Sequence, residues 1–270
     1  MMRMTQLQDP VKEAERVIEH ASRQNIDLKL IGGLAVYFRC PSARSGQLSR
    51  HYVDLDFVCS RSQGAKLKDF FISLGYKPRE VFNALQGDRR LIYNDLNNSR
   101  RVDIFLDVFE MCHKLDFSKR LSVDRDSYTI PIADLLLTKL QIIEYNAKDM
   151  NDMACIFLDH DISDTDDGNH VNGGYISEIC AEQWGFYKTV TTNLSNLKAH
   201  VSAMNVDTGS KKLVIDRIDK LTGLIESRPK SLKWKMRARV GEKVKWYELP
   251  EMDKEVVDSG VMTTKQKTEN

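Results

Sequence analysis

Three aspartates have the types and spacing to do chemistry: Asp54 and Asp56 in Val53-Asp54-Leu55-Asp56-Phe57, and Asp103 in Val102-Asp103-Ile104. Alternate side chains of a strand share a face, so Asp54 and Asp56 point the same way, roughly 7 Å apart along the chain. Their charges repel. Val53, Leu55 and Phe57 fall on the other face and read as core, so the acidic face must turn toward something that compensates it. A divalent cation does so directly. Magnesium takes carboxylate oxygens, keeps several waters and is usually held jointly by one or two protein carboxylates and substrate phosphates. The expectation is a Mg2+ (or Mn2+) site formed by Asp54, Asp56 and Asp103, which is the chemistry of nucleotide transfer.

The third ligand has two candidates, because Arg101-Val102-Asp103-Ile104-Phe105-Leu106-Asp107-Val108-Phe109 carries Asp103 and Asp107 on one face. They lie about 13 Å apart in a strand, whereas two catalytic metals sit about 4 Å apart. Asp103 is preferred and Asp107 comes second; the plain alternative is the polar face of an edge strand. The elements that must position these groups begin with a short strand, Asp27 to Ile31, and a helix opening at Leu34. Gly32 and Gly33 make the turn between them, where a backbone without Cβ atoms and the free N–H groups of a helix start can approach an anion.

These residues resemble the polymerase-β-like nucleotidyltransferase superfamily, whose pattern is a hydrophobic-Gly-Gly/Ser turn, an Asp-x-Asp/Glu strand and a later strand with a single carboxylate. The match runs from about Asp27 to His160 and is most similar to the AbiEii-type branch, which includes toxins of type IV toxin–antitoxin and abortive-infection systems. Arg50 stands four residues before Asp54, as in that branch's Arg-x-Thr-x-Asp-x-Asp. Pro131 to Leu140 resembles its helix carrying a lysine, here Lys139, and Lys148-Asp149-Met150-Asn151-Asp152-Met153 resembles its Lys-Asp-x-x-Asp segment. Two departures stand out. Twenty residues separate Gly33 from Asp54, including the loop Cys40 to Gly46, and Tyr52 replaces the usual threonine.

The resemblance implies an enzyme that transfers a nucleoside monophosphate from a triphosphate to an acceptor hydroxyl, with catalytic Asp54, Asp56 and Asp103. Gly32, Gly33, Arg50, Lys139 and Asp152 would bind the nucleotide. RNA or tRNA is the implied acceptor, and a cognate antitoxin the implied partner. The rival readings are an inactive relative that binds RNA or a protein, and a small-molecule, antibiotic-type nucleotidyltransferase. Read from residues alone, Lys139 sits at the margin of an apolar stripe on a helix from Ile132 to Tyr145, where a lysine often snorkels to water. Asp149 can equally be a solvated acid at a helix start.

The expected fold class is α+β (α/β), a nucleotidyltransferase fold with a mixed β-sheet flanked by helices and a helical C-terminal region. The division is residues 1–158 for the nucleotidyltransferase domain, 159–172 for an acidic linker, 173–250 for the helical region and 251–270 for a disordered tail. The linker has five acids between 159 and 168, but its spacing fails for an EF-hand loop. Helices are expected at 9–24, 66–74, 174–203 and 211–226, with strand-like segments alternating between 76 and 107. From Arg228 to Lys245 eight basic residues face one acid, with Trp234, Trp246 and Tyr247 interleaved. Such a segment either clamps a nucleic-acid backbone or forms a basic amphipathic helix whose tryptophans are core.

Composition bounds the rest. With 270 residues, 41% of them apolar, the chain can bury a good core, and a net charge of +1 gives no global attraction to nucleic acid or membrane. Five cysteines without a CxxC favour reduced thiols over disulfides or zinc. No run of apolar residues is long enough to span a membrane, and the amino terminus lacks a signal-peptide core, so a cytoplasmic protein is expected.

Overall fold

The computed structural model describes residues 5–124 and 127–249. The expected tail, 251–270, lies outside the described residues. Helix α1 (Pro10–Arg23) begins where Asp9 accepts the N–H groups of Val11 and Lys12 and a proline occupies the first turn. It packs Ala14, Val17, Ile18 and Ala21 against strand β1 (Leu28–Ile31), all of whose residues are buried. Helix α2 (Gly32–Arg39) follows with no intervening loop, so both glycines are its first residues. Strand β2 (Leu55–Cys59) comes next, then α3 (Gly64–Ser73), β3 (Lys77–Pro78), α4 (Glu80–Gln86), β4 (Arg90–Asp95) and β5 (Arg100–Leu106).

These strands form one sheet in the order β1-β2-β5-β4-β3. It is mixed: β2 and β5 run parallel, and every other neighbouring pair is antiparallel. The parallel pair requires a crossover, which α3, β3, α4 and β4 supply. On the apolar face Leu55 and Phe57 are fully buried, and Phe71 of α3 stacks on Tyr93 of β4 with ring centroids 4.8 Å apart. Val53, expected on that face, precedes the strand and is 50% exposed. The backbone becomes regular only at Leu55, so alternation does not govern it. The interval from 76 to 107, read as strands and turns, also contains α4, which buries none of its residues and so leaves no apolar stripe.

A small hairpin of β6 (Val108–Glu110) and β7 (Lys114–Asp116) precedes α5 (Ile132–Leu140), whose nine residues are all buried. The helix expected to reach Tyr145 stops at Leu140, and α6 (Ala147–Asp159) starts separately. Asn146 and Asp149 form a reciprocal capping box that begins a new helix. The acidic stretch is not simply solvated. Its two-residue strands β8 (Ile162–Ser163) and β9 (Val171–Asn172) pair in parallel, and Asp166 accepts two hydrogen bonds, 2.8 and 2.9 Å, from Arg120. Arg120 also binds buried Asp134 of α5 at 2.8 Å and lies 4.0 Å from the Tyr175 ring centroid.

The C-terminal region is helical: α7 (Gly173–Glu182), α8 (Trp184–Ala203), α9 (Thr208–Ser227) and α10 (Leu232–Val240). The single helix expected over 174–203 is broken at Gln183, which is extended. One apolar core runs from Ala14 through the sheet to Ile225, so the helical region shares the core of the sheet. Both tryptophans of the basic segment are half-buried. Trp234 packs edge-on against Tyr187, while Trp246 meets Trp184 and donates its indole N–H to Thr189 at 3.1 Å. Leu232, Met236 and Val240 face outward on α10. All five cysteines are buried with free thiols, and among the described residues no helix is long and apolar enough to cross a membrane.

Candidate active site

The site grows from the junction of β1, α2, β2 and β5. In the sheet register Asp56 is flanked by Ile31 of β1 on one side and Asp103 of β5 on the other. Asp54 stands one residue before β2, exposed, and its Oδ1 accepts the backbone N–H of Arg101 at 3.3 Å. Asp107 is elsewhere. It ends the strand at φ +59°, accepts the N–H of Arg61 at 3.2 Å, and donates its own N–H to Cys59 at the far end of β2.

The two glycines are required for different reasons. Gly32 has φ +69°, a backbone conformation that L side chains rarely adopt, and a Cβ there would lie 2.5 Å from Asp56 Oδ2. A Cβ on Gly33 would fall 1.9 Å from an Arg50 guanidinium nitrogen. The helix start is therefore in contact with the carboxylate and the guanidinium, and Ile31 supplies no side-chain cap for its N–H groups.

Arg50 donates to both carboxylate oxygens of Asp152 on α6, at 3.0 and 2.9 Å, with its guanidinium 4.3 Å from the Tyr52 ring centroid. Lys139 of α5 lies 2.9 Å from Asp152 and 2.9 Å from Asp149. The four residues form one chain of ion pairs. Asp149 is more than a solvated helix-start acid, since it caps α6 and pairs with Lys139. Lys139 itself is buried rather than snorkelled. Burial opposes its charge, but Asp152 and Asp149 outweigh that and hold its pKa above the ordinary lysine value. Burial likewise opposes the Asp152 charge, and Lys139 and Arg50 overcome it, holding Asp152 below the usual carboxylate range.

Asp56 has the opposite balance. Burial, then the neighbouring charges of Asp103 and Asp54, push its carboxyl up to about 7, against which Lys139 and Arg90 pull only partly. The position is short of positive charge. No group of three or more His, Cys, Asp or Glu side chains converges closely enough to hold a metal among the described residues. The donors at Asp54 and Asp56 are nonetheless hard oxygens with uncompensated charge. They fit a magnesium or manganese ion that takes its remaining ligands from water and phosphate.

Asp103 is held by two arginines. Arg90 of β4 reaches Oδ1 with Nε at 2.8 Å and Nη2 at 2.6 Å, and Arg101 reaches Oδ2 with Nε at 2.8 Å. Sequence reasoning did not single out either arginine. Arg101 had a signal, being two residues before Asp103 and so on the same strand face. The long loop before Asp54 is stitched down: Ser42 gives its backbone N–H and hydroxyl to Asp159 at 2.9 and 2.7 Å. It lines a cavity of about 300 Å³ with the turn between α8 and α9, bounded by Leu48, Ala154, Leu158, Met204 and Val214.

No family model matches the chain, and no curated protein matches it. Among solved structures, the chain is similar to the solution structure of the antibiotic-resistance factor ANT(2'')-Ia. The TM-score is 0.36 at 12% identity, covering 54% of this chain and 81% of that one. A likeness that loose has no bearing on function.

Proposed function

We propose that the protein is a metal-dependent nucleotidyltransferase. The observation that carries the reading is Asp56, wedged against the start of α2 and flanked by Asp103 across a parallel strand pair, with its carboxyl pushed up to about 7 by burial and by the Asp103 and Asp54 charges. A bound divalent ion would supply that charge and screen the triphosphate. Asp54 and Asp56 would hold it.

The chain's own groups do the rest. The N–H groups at Gly32 and Gly33 receive phosphate oxygens. Lys139 and Arg50, exchanging part of their contact with Asp149 and Asp152, offset charge that grows on the leaving phosphates. The acceptor hydroxyl gives its proton to solvent and forms a bond to the α-phosphorus, the bond from that phosphorus to the β-bridging oxygen breaks, and pyrophosphate departs. The AbiEii-type resemblance supports RNA, tRNA in particular, as acceptor and an antitoxin as partner. An antibiotic-type small-molecule acceptor is the rival within the same chemistry.

The test is incubation of the purified protein with each α-labelled nucleoside triphosphate, magnesium and total RNA, beside an Asp54→Ala, Asp56→Ala double variant. Label entering RNA with the unmodified protein alone supports the reading and names the nucleotide. No transfer to RNA or to an aminoglycoside, together with no magnesium-dependent nucleotide binding, refutes it in favour of an inactive fold relative.

A further inference from the structure

We infer that Arg90 and Arg101 take the place of a second metal ion at Asp103, so that this site binds one divalent cation, at Asp54 and Asp56, rather than two. The inference rests on the nucleotidyltransferase reading and deepens it. A two-cation centre needs Asp103 to offer its oxygens to a metal. Here Oδ1 accepts hydrogen bonds from Arg90 Nε at 2.8 Å and Arg101 Nη2 at 3.2 Å, with Arg90 Nη2 at 2.6 Å, and Oδ2 is in ion-pair contact with Arg101 Nε at 2.8 Å. Asp103 is 5% exposed, so little room is left for a hydrated ion to approach beside them.

Neither arginine is loosely placed. The Arg90 guanidinium lies 4.9 Å from the ring centroid of Phe105, its register partner on β5, and 5.9 Å from that of Phe82 on α4. Arg101 is fixed at its backbone, where its N–H donates to Asp54. One residue thus orients a cation ligand with its main chain and neutralises Asp103 with its side chain. Charge points the same way. Asp54, Asp56 and Asp103 meet the two guanidinium groups of Arg90 and Arg101, which leaves one negative charge on the Asp54–Asp56 side, away from the arginines. One divalent ion more than balances it and leaves a surplus for phosphate; a second would have to expel both arginines. Asp103 on this view is a positioning residue for the arginine pair, of which Arg101 spans both carboxylate oxygens and Arg90 places two nitrogens on one, a planar geometry that a lysine would not reproduce.

The experiment is titration of the full chain with Mn2+, free ion being read by electron paramagnetic resonance, alone and with the α,β-methylene analogue of each nucleoside triphosphate. One Mn2+ per chain is expected, weakened at least tenfold by Asp56→Asn. Arg90→Gln with Arg101→Gln is expected to admit a second Mn2+. Two ions of comparable affinity on the unmodified chain overturn the inference while leaving the nucleotidyltransferase reading intact. No Mn2+ bound under any condition overturns both. If the double arginine variant does not fold, the number of ions on the unmodified chain still decides.

Discussion

Replacing Asp56 with asparagine removes a charge that the fold holds at a cost, and the metal-free protein should become more stable as a result. The carboxyl is raised from 3.8 to about 7, so between those values the native state binds more protons than the unfolded chain. Stability therefore falls as pH rises through that window. Integrating the shift gives a cost of ~4 kcal/mol at pH 8 and ~2 kcal/mol at pH 5. In EDTA, Asp56→Asn should accordingly gain on the unmodified protein by about 2 kcal/mol between pH 5 and pH 8, the asparagine being nearly the same size. Urea denaturation at both pH values measures this directly. Magnesium should reverse the order, stabilising the unmodified chain more at pH 8 than at pH 5 and the variant little at either, because only an ionised carboxylate binds it. An Asp56→Asn protein that is less stable than the unmodified chain in EDTA at pH 8 would refute the reasoning, since it would mean that the charge is already compensated.

Gly32→Ala should lose about 2 kcal/mol or more in urea denaturation and weaken metal binding, because the residue is at φ +69° and the new methyl group meets Asp56 Oδ2 at 2.5 Å. Lys139→Met should cost about 3 to 5 kcal/mol, again by urea denaturation, by leaving Asp149 and buried Asp152 short of a partner; a change below 1 kcal/mol would show the chain of ion pairs to be dispensable. Burial lowers the His113 ring from 6.5 to about 4, so the native state binds fewer protons in that window. The stability this residue provides above pH 6.5 is lost as pH falls toward 4, by up to ~3 kcal/mol, and His113→Gln should flatten the acid limb of the Tm profile.

What could be read from the sequence was local. Asp56 and Asp103 announce themselves by strand alternation, and Gly32 by lying between an apolar run and a helix start. The first helix was legible because Asp9 and Pro10 are strong start signals and its apolar residues share one face. The misreadings came where distant partners decide. Arg90 reaches Asp103 only because the hairpin register of β4 and β5 sets Ile92 opposite Asp103, so that the two side chains meet diagonally. Asp166 looked solvated because Arg120 is 46 residues away. Helix α5 was read five residues too long, to Tyr145 instead of Leu140, whereas the helix start near Asp149 and the mixed sheet were expected and are what forms.

The pairing of Arg50 and Lys139 with Asp149 and Asp152, and of Arg90 and Arg101 with Asp103, bears on how a nucleotide first arrives. Each cation already has an anion within contact distance, so the cleft projects little attraction beyond a Debye length of about 8 Å. An approaching triphosphate is not drawn in from afar. Its association rate constant should sit near the unsteered range and change little between low and physiological salt. Discrimination then falls to the residence time of the complex, which depends on how readily these ion pairs exchange partners once the nucleotide is inside.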